Sequence, residues 1–577
     1  MGGFLLIRNG ISEHSYTESR VQNAMGIFAR KKLQLNKKIT LDDFTLYVYF
    51  KRSHLIENVY YFSQDDFVVS VGTFFYNGKT GHDAQLDLRN DILSGLPNIT
   101  LNLKKFAGHF CILAYLDGRM IIFNDSSGTY HVYCNTAKTI FSSSFIALTS
   151  LLPHKTCSKQ EIYEYIFYGT TYGDKTVFKE VELLNHSRIY LLSSPDLVIK
   201  KSGFHSESQA IGDFGKLVIR IADGLMDYFD PMLSHYRDNI SLGLSGGFDS
   251  RLLLAIMRAQ GVCPRIYTHG EASSSDFRIA KLIAESEGLT FTGFGNGRAR
   301  RLDEEGYARH VEENYFNLDG LLFSGYFDYP LNMDILNSQE SLLNLNGGGG
   351  EIYRNFWKLP DKPLRISRFI SSKFESVDFE ICTDRFSRQV FFEEFQQKIA
   401  VLFGKAGDVL LSGREIHQLY PFLRLHYWTG RGASILNQYS NALLPFCDAR
   451  VFCESFGIPL NYKSAGRFEA ALIARIHPSV AAYPSNYGHD FLGGVKISNR
   501  LLDEIKIYTP ISLRPSLRRL ISRRASFLPY FFDKNYIDLI FGNKEFHMME
   551  YVDIYDIKDA EMLSRVLSIE YLLIYNK

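Results

Sequence analysis

The stretch Leu244-Ser245-Gly246-Gly247-Phe248-Asp249-Ser250 constrains what this chain can fold into more than any other. It stands between an apolar run, Ile240 to Leu244, and a second run, Ser250 to Gln260, whose apolar spacing is helical. Two glycines let the backbone turn tightly and approach an anion with no Cβ in the way. The exposed amides and the N-terminal end of the predicted helix then form a pocket for phosphate, to which Ser245 and Ser250 add hydroxyl donors. Asp249 would repel phosphate directly, so its expected role is to ligate a Mg²⁺ ion that bridges the phosphate oxygens. No lysine follows the glycines, which excludes a Walker-type loop. The surrounding pattern predicts a helix from Phe214 to Phe229, with Leu217, Ile221 and Leu225 in one stripe. A strand follows at Arg265 to Thr268, a helix at Ser275 to Glu287 and a strand at Thr290 to Gly293. That βαβαβ succession predicts a parallel, doubly wound sheet.

Upstream the texture differs. Residues up to roughly 200 read as β-rich, in runs such as Asp43 to Phe50, Asp66 to Gly78, His109 to Gly128 and Thr139 to Leu148, with a hairpin turn at Leu116-Asp117-Gly118. A helix is predicted at Lys159 to Tyr168 and an extended stretch at Ser187 to Ser193. The polar stretch Lys200 to Ser208 is the expected domain junction, and from about Asp361 the chain reads as mainly helical. At 577 residues several domains are expected. Basic and acidic residues balance at 64 against 63, so no global field draws the chain to nucleic acid or an anionic membrane. Seven scattered cysteines without a CxxC pair suggest reduced thiols, and no run of eighteen apolar residues suggests a transmembrane helix. The expectation is a soluble, cytoplasmic protein.

Ser245 to Ser250, read as SGGFDS, resembles the SGGxDS pyrophosphate loop of the ATP pyrophosphatases, and further stretches resemble the asparagine synthetase family among them. Ile266 to Gly270 (IYTHG) is similar to the strand whose backbone recognises adenine there, and Ser273 to Leu289 to the helix after it. Leu345 to Glu351 (LNGGGGE) is similar to the family's second Gly-rich loop, S-G-E-G-S-D. Glu351 stands where the family has Asp. Gly348 stands where asparagine synthetase has Glu and β-lactam synthetase a catalytic Tyr. Leu444 to Asp448 (LPFCD), followed by Ile458-Pro459, resembles the PFLD…lP segment. In the first 190 residues, Lys105 to Cys134 resembles the core hairpin of a class II glutamine amidotransferase domain, and Ile140 to Leu148 the strand and helix start that follow it. The nucleophilic Cys of that class is replaced by Gly2, which has no side chain for covalent catalysis. The same loss is familiar in β-lactam synthetase and the lasso-peptide cyclases.

The resemblance implies an α/β protein in three parts. Residues 1–200 would form an Ntn-type αββα sandwich, a glutamine amidotransferase-like domain without its nucleophile. Residues 209–500 would form the ATP-pyrophosphatase synthetase domain on a doubly wound parallel sheet, and 501–577 a helical extension. ATP would be held by Leu244, Ser245, Gly246, Gly247, Asp249, Ser250, His269, Asn346 and Gly347. Asp249 and Glu351 would be the catalytic residues and the Mg²⁺ ligands. The family's late pyrophosphate-binding Lys has no clear match between His477 and Phe491, so Arg467 and Lys496 are the substitutes to examine. As side chains, His269 and His310 read as ordinary polar residues rather than metal ligands, because no partner spacing supports a zinc site.

The implied function is a carbon–nitrogen ligase that activates a small-molecule, glycan-linked or peptide carboxylate as its acyl-adenylate. Nitrogen would come from ammonia or from an amine on the substrate. A lasso-peptide or β-lactam-type cyclase and a non-catalytic nucleotide-binding scaffold are the alternatives. The basic run Arg514 to Arg524 reads either as a solvated helix face or as a dock for an anionic partner.

Overall fold

A computed structural model describes residues 2–9, 17–96, 99–192, 196–201, 213–237, 239–295, 302–320, 341–514, 528–542 and 545–575. Its first part contains two six-stranded antiparallel sheets. Phe4, Leu6, Val48, Val69, Cys111, Leu113 and Ile122 fill the space between them. These alternate along their strands, as the two-residue side-chain period requires. The Gly81–Gly95 helix covers the outer face of one sheet with Ala84, Leu88 and Ile92. The Glu18–Arg30 and Phe145–Leu151 helices cover the other. The layering is therefore helix, sheet, sheet, helix.

The expected hairpin joins strands Phe106–Leu116 and Arg119–Asn124, with Leu116 opposite Arg119. The run at Thr139 to Leu148 divides. A short strand, Ile140–Ser142, gives way to the Phe145–Leu151 helix because the Ser144 hydroxyl accepts from the Ala147 amide and caps it. The Lys159–Tyr168 helix has the predicted bounds. Most of the expected junction, from 202 onward, lies outside the described residues.

The second part is built on a five-stranded sheet in which every neighbouring pair is parallel. In spatial order its strands are Phe291–Phe294, Arg265–His269, Ile240–Gly243, Leu343–Leu345 and Asn441–Leu443. The chain thus winds outward in one direction from Ile240–Gly243, then returns to its other side. In open α/β sheets a ligand crevice forms outside the carboxyl ends of the two strands at such a reversal. Those two strands, Ile240–Gly243 and Leu343–Leu345, lead directly into the two Gly-rich loops.

Several boundaries differ from the sequence expectation. The Phe214–Tyr236 helix runs seven residues past Phe229 and through Pro231, because Met232, Leu233 and Tyr236 continue its buried stripe. The helix after the first Gly-rich loop begins at Phe248, two residues early. The region beyond Asp361 is mainly helical, yet it supplies the fifth parallel strand, Asn441–Leu443, too short to show a period. The terminal Ala560–Tyr575 helix packs Leu563, Val566 and Leu567 into the core cluster shared with Ile27 and Phe28. Tyr575 accepts a 2.8 Å hydrogen bond from Arg30. Of the basic run only Arg514 is described. It is nearly buried and donates to the carbonyls of Lys358, Lys506, Ile507 and Thr509. Residues 515–524 lie outside the described set. Among the described residues no helix is long and apolar enough to cross a membrane.

Gly2 is closed in. Its amide donates to Tyr49 O at 3.0 Å, and a Cβ there would lie 2.4 Å from Phe50 O and 2.6 Å from Gln438 O. Gly2→Cys is therefore expected to lower stability by about 1–3 kcal/mol through overpacking and to yield no glutaminase activity. Thermal melting and ammonia release from glutamine check this. Ammonia release at an unchanged melting temperature would refute it.

Candidate active site

The loop after Ile240–Gly243 is braced from within. Ser245 N–H donates to Ser250 Oγ at 3.0 Å, and the two serine hydroxyls lie 3.1 Å apart. Leu244 is buried, and its amide donates to Tyr267 O on the next strand. Gly247 caps the Phe248–Ala259 helix without a side-chain acceptor, so the first-turn amides have no capping side chain. The loop already holds one anionic oxygen: Gly246 N–H donates to Asp276 Oδ1 at 2.7 Å, and Asn486 Nδ2 donates to the same atom. A carboxylate oxygen bound by a loop amide shows that this backbone suits an anion.

The second loop lies directly on the first. A Cβ on Gly347 would stand 2.7 Å from Ser250 N, and one on Gly350 would stand 2.4 Å from Asp249 Cγ. Any larger residue at either position would force the loops apart. Asn346 fixes the turn, its amide donating to Leu443 O and its side chain accepting from Gly348 N–H at 2.8 Å. Gly348 leaves no side chain where the loop meets a cavity of about 320 Å³. His269 ends the neighbouring strand at the same edge of the sheet, its ring 5.6 Å from that of Phe294.

Asp249 and Glu351 come together as the sequence suggested, and the Arg354 guanidinium stands between them. Arg354 Nη2 lies 2.6 and 2.7 Å from the two Asp249 oxygens and 3.3 Å from Glu351 Oε1. Glu351 Oε2 accepts from Tyr420 OH at 2.7 Å. A third carboxyl, Glu469, lies fully buried with Oε2 3.3 Å from Arg354 Nε, off the hydrogen-bonding axis. As a carboxylate, Glu469 finds no donor for either oxygen. Burial, then the neighbouring Asp249, pushes its pKa well above the usual range. Burial also raises Asp249 while Arg354 pulls it back. Burial penalises the Arg354 charge, but the carboxylates around it hold that charge firmly.

The amides of Ser245, Gly246 and Gly247 are held by Ser250, Asp276 and Ser245, while those of the first helical turn carry no capping side chain and can face an anion. The carboxylate pair is different: its four oxygens are engaged by Arg354 and Tyr420, so a metal ion would compete with the guanidinium for them. As arranged, the donor set does not fit Mg²⁺. Among the described residues no group of three His, Cys, Asp or Glu side chains is arranged to hold a metal.

Of the two cations singled out in the sequence, Lys496 places Nζ 3.8 Å from where a Cβ on Gly488 would stand, beside Tyr487, whose OH accepts from Arg354 at 3.4 Å. Arg467 lies over the Phe214 ring at 4.7 Å, and Lys496 precedes the Ile497–Tyr508 helix. Arg354, Glu469 and Tyr420 were missed. Only Arg354 left a trace, three residues after Glu351 at the end of a Gly-rich loop. The stretch Tyr420–Thr429 is a π-helix, a rare form often found at functional sites.

No family model matches the chain, and no curated protein matches it. Among solved structures it is similar to glutamine phosphoribosylpyrophosphate (PRPP) amidotransferase from B. subtilis complexed with ADP and GMP. That similarity has 11% identity and a TM-score of 0.22, over 50% of this chain and 65% of that chain. A structure of the allosteric regulatory enzyme of purine biosynthesis gives 10% identity and a TM-score of 0.23, over 50% and 64%. The chain thus spans slightly under two thirds of the length of either neighbour. At overlaps this low the fold rests on the strand order and core packing described above.

Proposed function

We propose that the chain is an ATP-using, amide-forming ligase of the asparagine-synthetase type that activates a substrate carboxylate and has no glutaminase. The observation that carries this reading is the meeting of two Gly-rich loops at the reversal point of the parallel sheet, packed so closely that Gly347 and Gly350 admit no side chain. ATP, when bound, supplies the activated phosphoanhydride. The loop backbone at Ser245 to Ser250 and the uncapped helix start hold its polyphosphate. The cavity beyond Gly348 receives the acid. Arg354 is the cation nearest the loop carboxylates and stabilises negative charge gathering on the departing pyrophosphate, as a preorganised group should. With Gly2 closed in, the nitrogen comes from free ammonia or from an amine on the substrate.

Incubation with ATP, Mg²⁺ and a panel of carboxylates is expected to release pyrophosphate and AMP. ADP and phosphate would indicate a different mechanism. Gly347→Val should reduce release by at least about 100-fold by parting the loops, as small misplacements do, and near-normal turnover would remove the loop contact from the mechanism. A cyclase reading makes the same first products, and a dehydrated substrate mass with no added amine would select it. A scaffold would bind nucleotide with no product at all.

A further inference from the structure

The roughly 320 Å³ cavity beside the second loop is walled by Leu318, Phe356, Ile435, Leu436 and Leu444, apolar groups that suit a hydrocarbon or ring. Its polar lining comes mainly from Glu351, Tyr420 and Arg424, and the first two are bonded to each other. Arg424 is the exception. Among the described residues it has no carboxylate partner and no hydrogen bond, and its guanidinium lies 3.5 Å from the centre of the Trp428 ring. A guanidinium flat on an indole is held in orientation while its N–H edge remains free for a planar, two-oxygen acceptor. Tyr420, Arg424 and Trp428 follow at intervals of four along the Tyr420–Thr429 π-helix, which brings all three to the same cavity wall. Arg424 and Phe356 also line a second cavity of about 290 Å³, so the guanidinium stands where the two spaces meet. The groups that act most strongly on the Arg424 charge are Tyr172, Tyr420, Glu351 and Arg565. No residue of the Leu244 to Ser250 loop lines either cavity that Arg424 lines, so the guanidinium is placed for an anionic end other than the carboxylate that is activated.

We propose that this cavity recognises an acid with two anionic ends joined by an apolar or aromatic body, and that Arg424, stacked on Trp428, grips the carboxylate that does not react. The proposal rests on the ligase reading for which end reacts, but the grip itself can be measured without ATP. The chain has two tryptophans, Trp357 and Trp428. In a Trp357→Phe background, Trp428 emission reports on the stacked guanidinium directly.

Titration with 1,4-phenylenediacetate, phenylacetate and phenylacetamide is expected to change Trp428 emission, with both acids binding at least about tenfold more tightly than the amide, as charge-assisted hydrogen bonds require. Arg424→Met should erase that advantage and Arg424→Lys restore part of it. In the ligase assay the diacid should then be turned over and phenylacetate should not. If Arg424→Met fails to fold, Arg424→Gln, which is shorter but keeps polarity without charge, decides the matter. Equal binding of acid and amide, or an unchanged ratio in the Arg424 variants, would overturn the proposal. Tighter binding of benzylphosphonate than of phenylacetate would overturn the carboxylate assignment in favour of a phosphate end. Acid-selective binding without pyrophosphate release would leave the anion grip standing and remove the ligase reading.

Discussion

Arg354→Met is expected to destabilise the protein by about 3–5 kcal/mol, the usual consequence of removing one partner from a buried charged cluster, and to abolish pyrophosphate release. Arg354 is the hydrogen-bond donor to both Asp249 oxygens and faces Glu351 and buried Glu469 as well. Methionine fills most of the volume but leaves Asp249 and Glu351 to repel each other, with Glu469 behind them. The remedy available to the folded state is to bind protons. A second change should therefore offset the first: Glu351→Gln removes one of the two facing charges, and the double variant should recover part of the loss. Arg354→Lys keeps the charge but not the planar fork and should fall between. Urea unfolding at constant slope gives the stability values, and pyrophosphate release gives the catalytic one. A loss below about 1 kcal/mol would show that the cluster is solvated. Normal turnover in a folded Arg354→Met variant would remove the guanidinium from the chemistry.

What could be read in advance follows from how far apart the interacting residues lie. The parallel sheet was legible because Ile240 to Leu244 and Arg265 to Thr268 are compact apolar runs alternating with helical stripes, a local signal. The Gly-rich loop between strand and helix was legible for the same reason, since seven consecutive residues define it. The partner of Asp249 was not, because Arg354 lies 105 residues away and only the strand order brings them together. Glu469 sits on the buried face of a helical segment, beside Phe468, Ala470, Leu472 and Ile473, where the pattern shows an interruption but not what it faces. Arg424 and Trp428 looked like one more aromatic-rich helix. Their spacing of four acquires meaning only once the π-helical turn and the cavity are known. The missed strand Asn441–Leu443 has three residues, fewer than any periodicity can reveal, and is fixed by pairing with Leu343–Leu345.

A second large effect is expected where the two parts of the chain are joined. Lys31, at the end of the Glu18–Arg30 helix, is completely buried. Its ammonium pairs with Asp319 and donates to Ser144 Oγ at 2.9 Å and Gln438 Oε1 at 3.3 Å. Asp319 in turn accepts from Ser144 Oγ and from the Phe145 amide, each at 2.6 Å. Asp319→Asn would leave a buried ammonium facing a neutral amide, a loss of about 3–5 kcal/mol. Lys31→Met combined with Asp319→Leu should recover most of it, because an apolar pair needs no desolvated charge. The pH dependence separates this from simple misfit. Burial lowers the Lys31 pKa and Asp319 partly restores it. Between that lowered value and the free lysine value of about 10.4, the unfolded chain binds the extra proton, so stability rises with pH. Without the Asp319 charge the folded value falls further and the window widens downward. Asp319→Asn should then gain stability as pH rises above neutral, by up to about 1.4 kcal/mol per pH unit, more steeply than the parent protein. Urea midpoints across that range measure the slope. A variant that follows the parent at every pH would show that Lys31 is already neutral in the folded protein, and that the contact joins the two parts by packing rather than by charge.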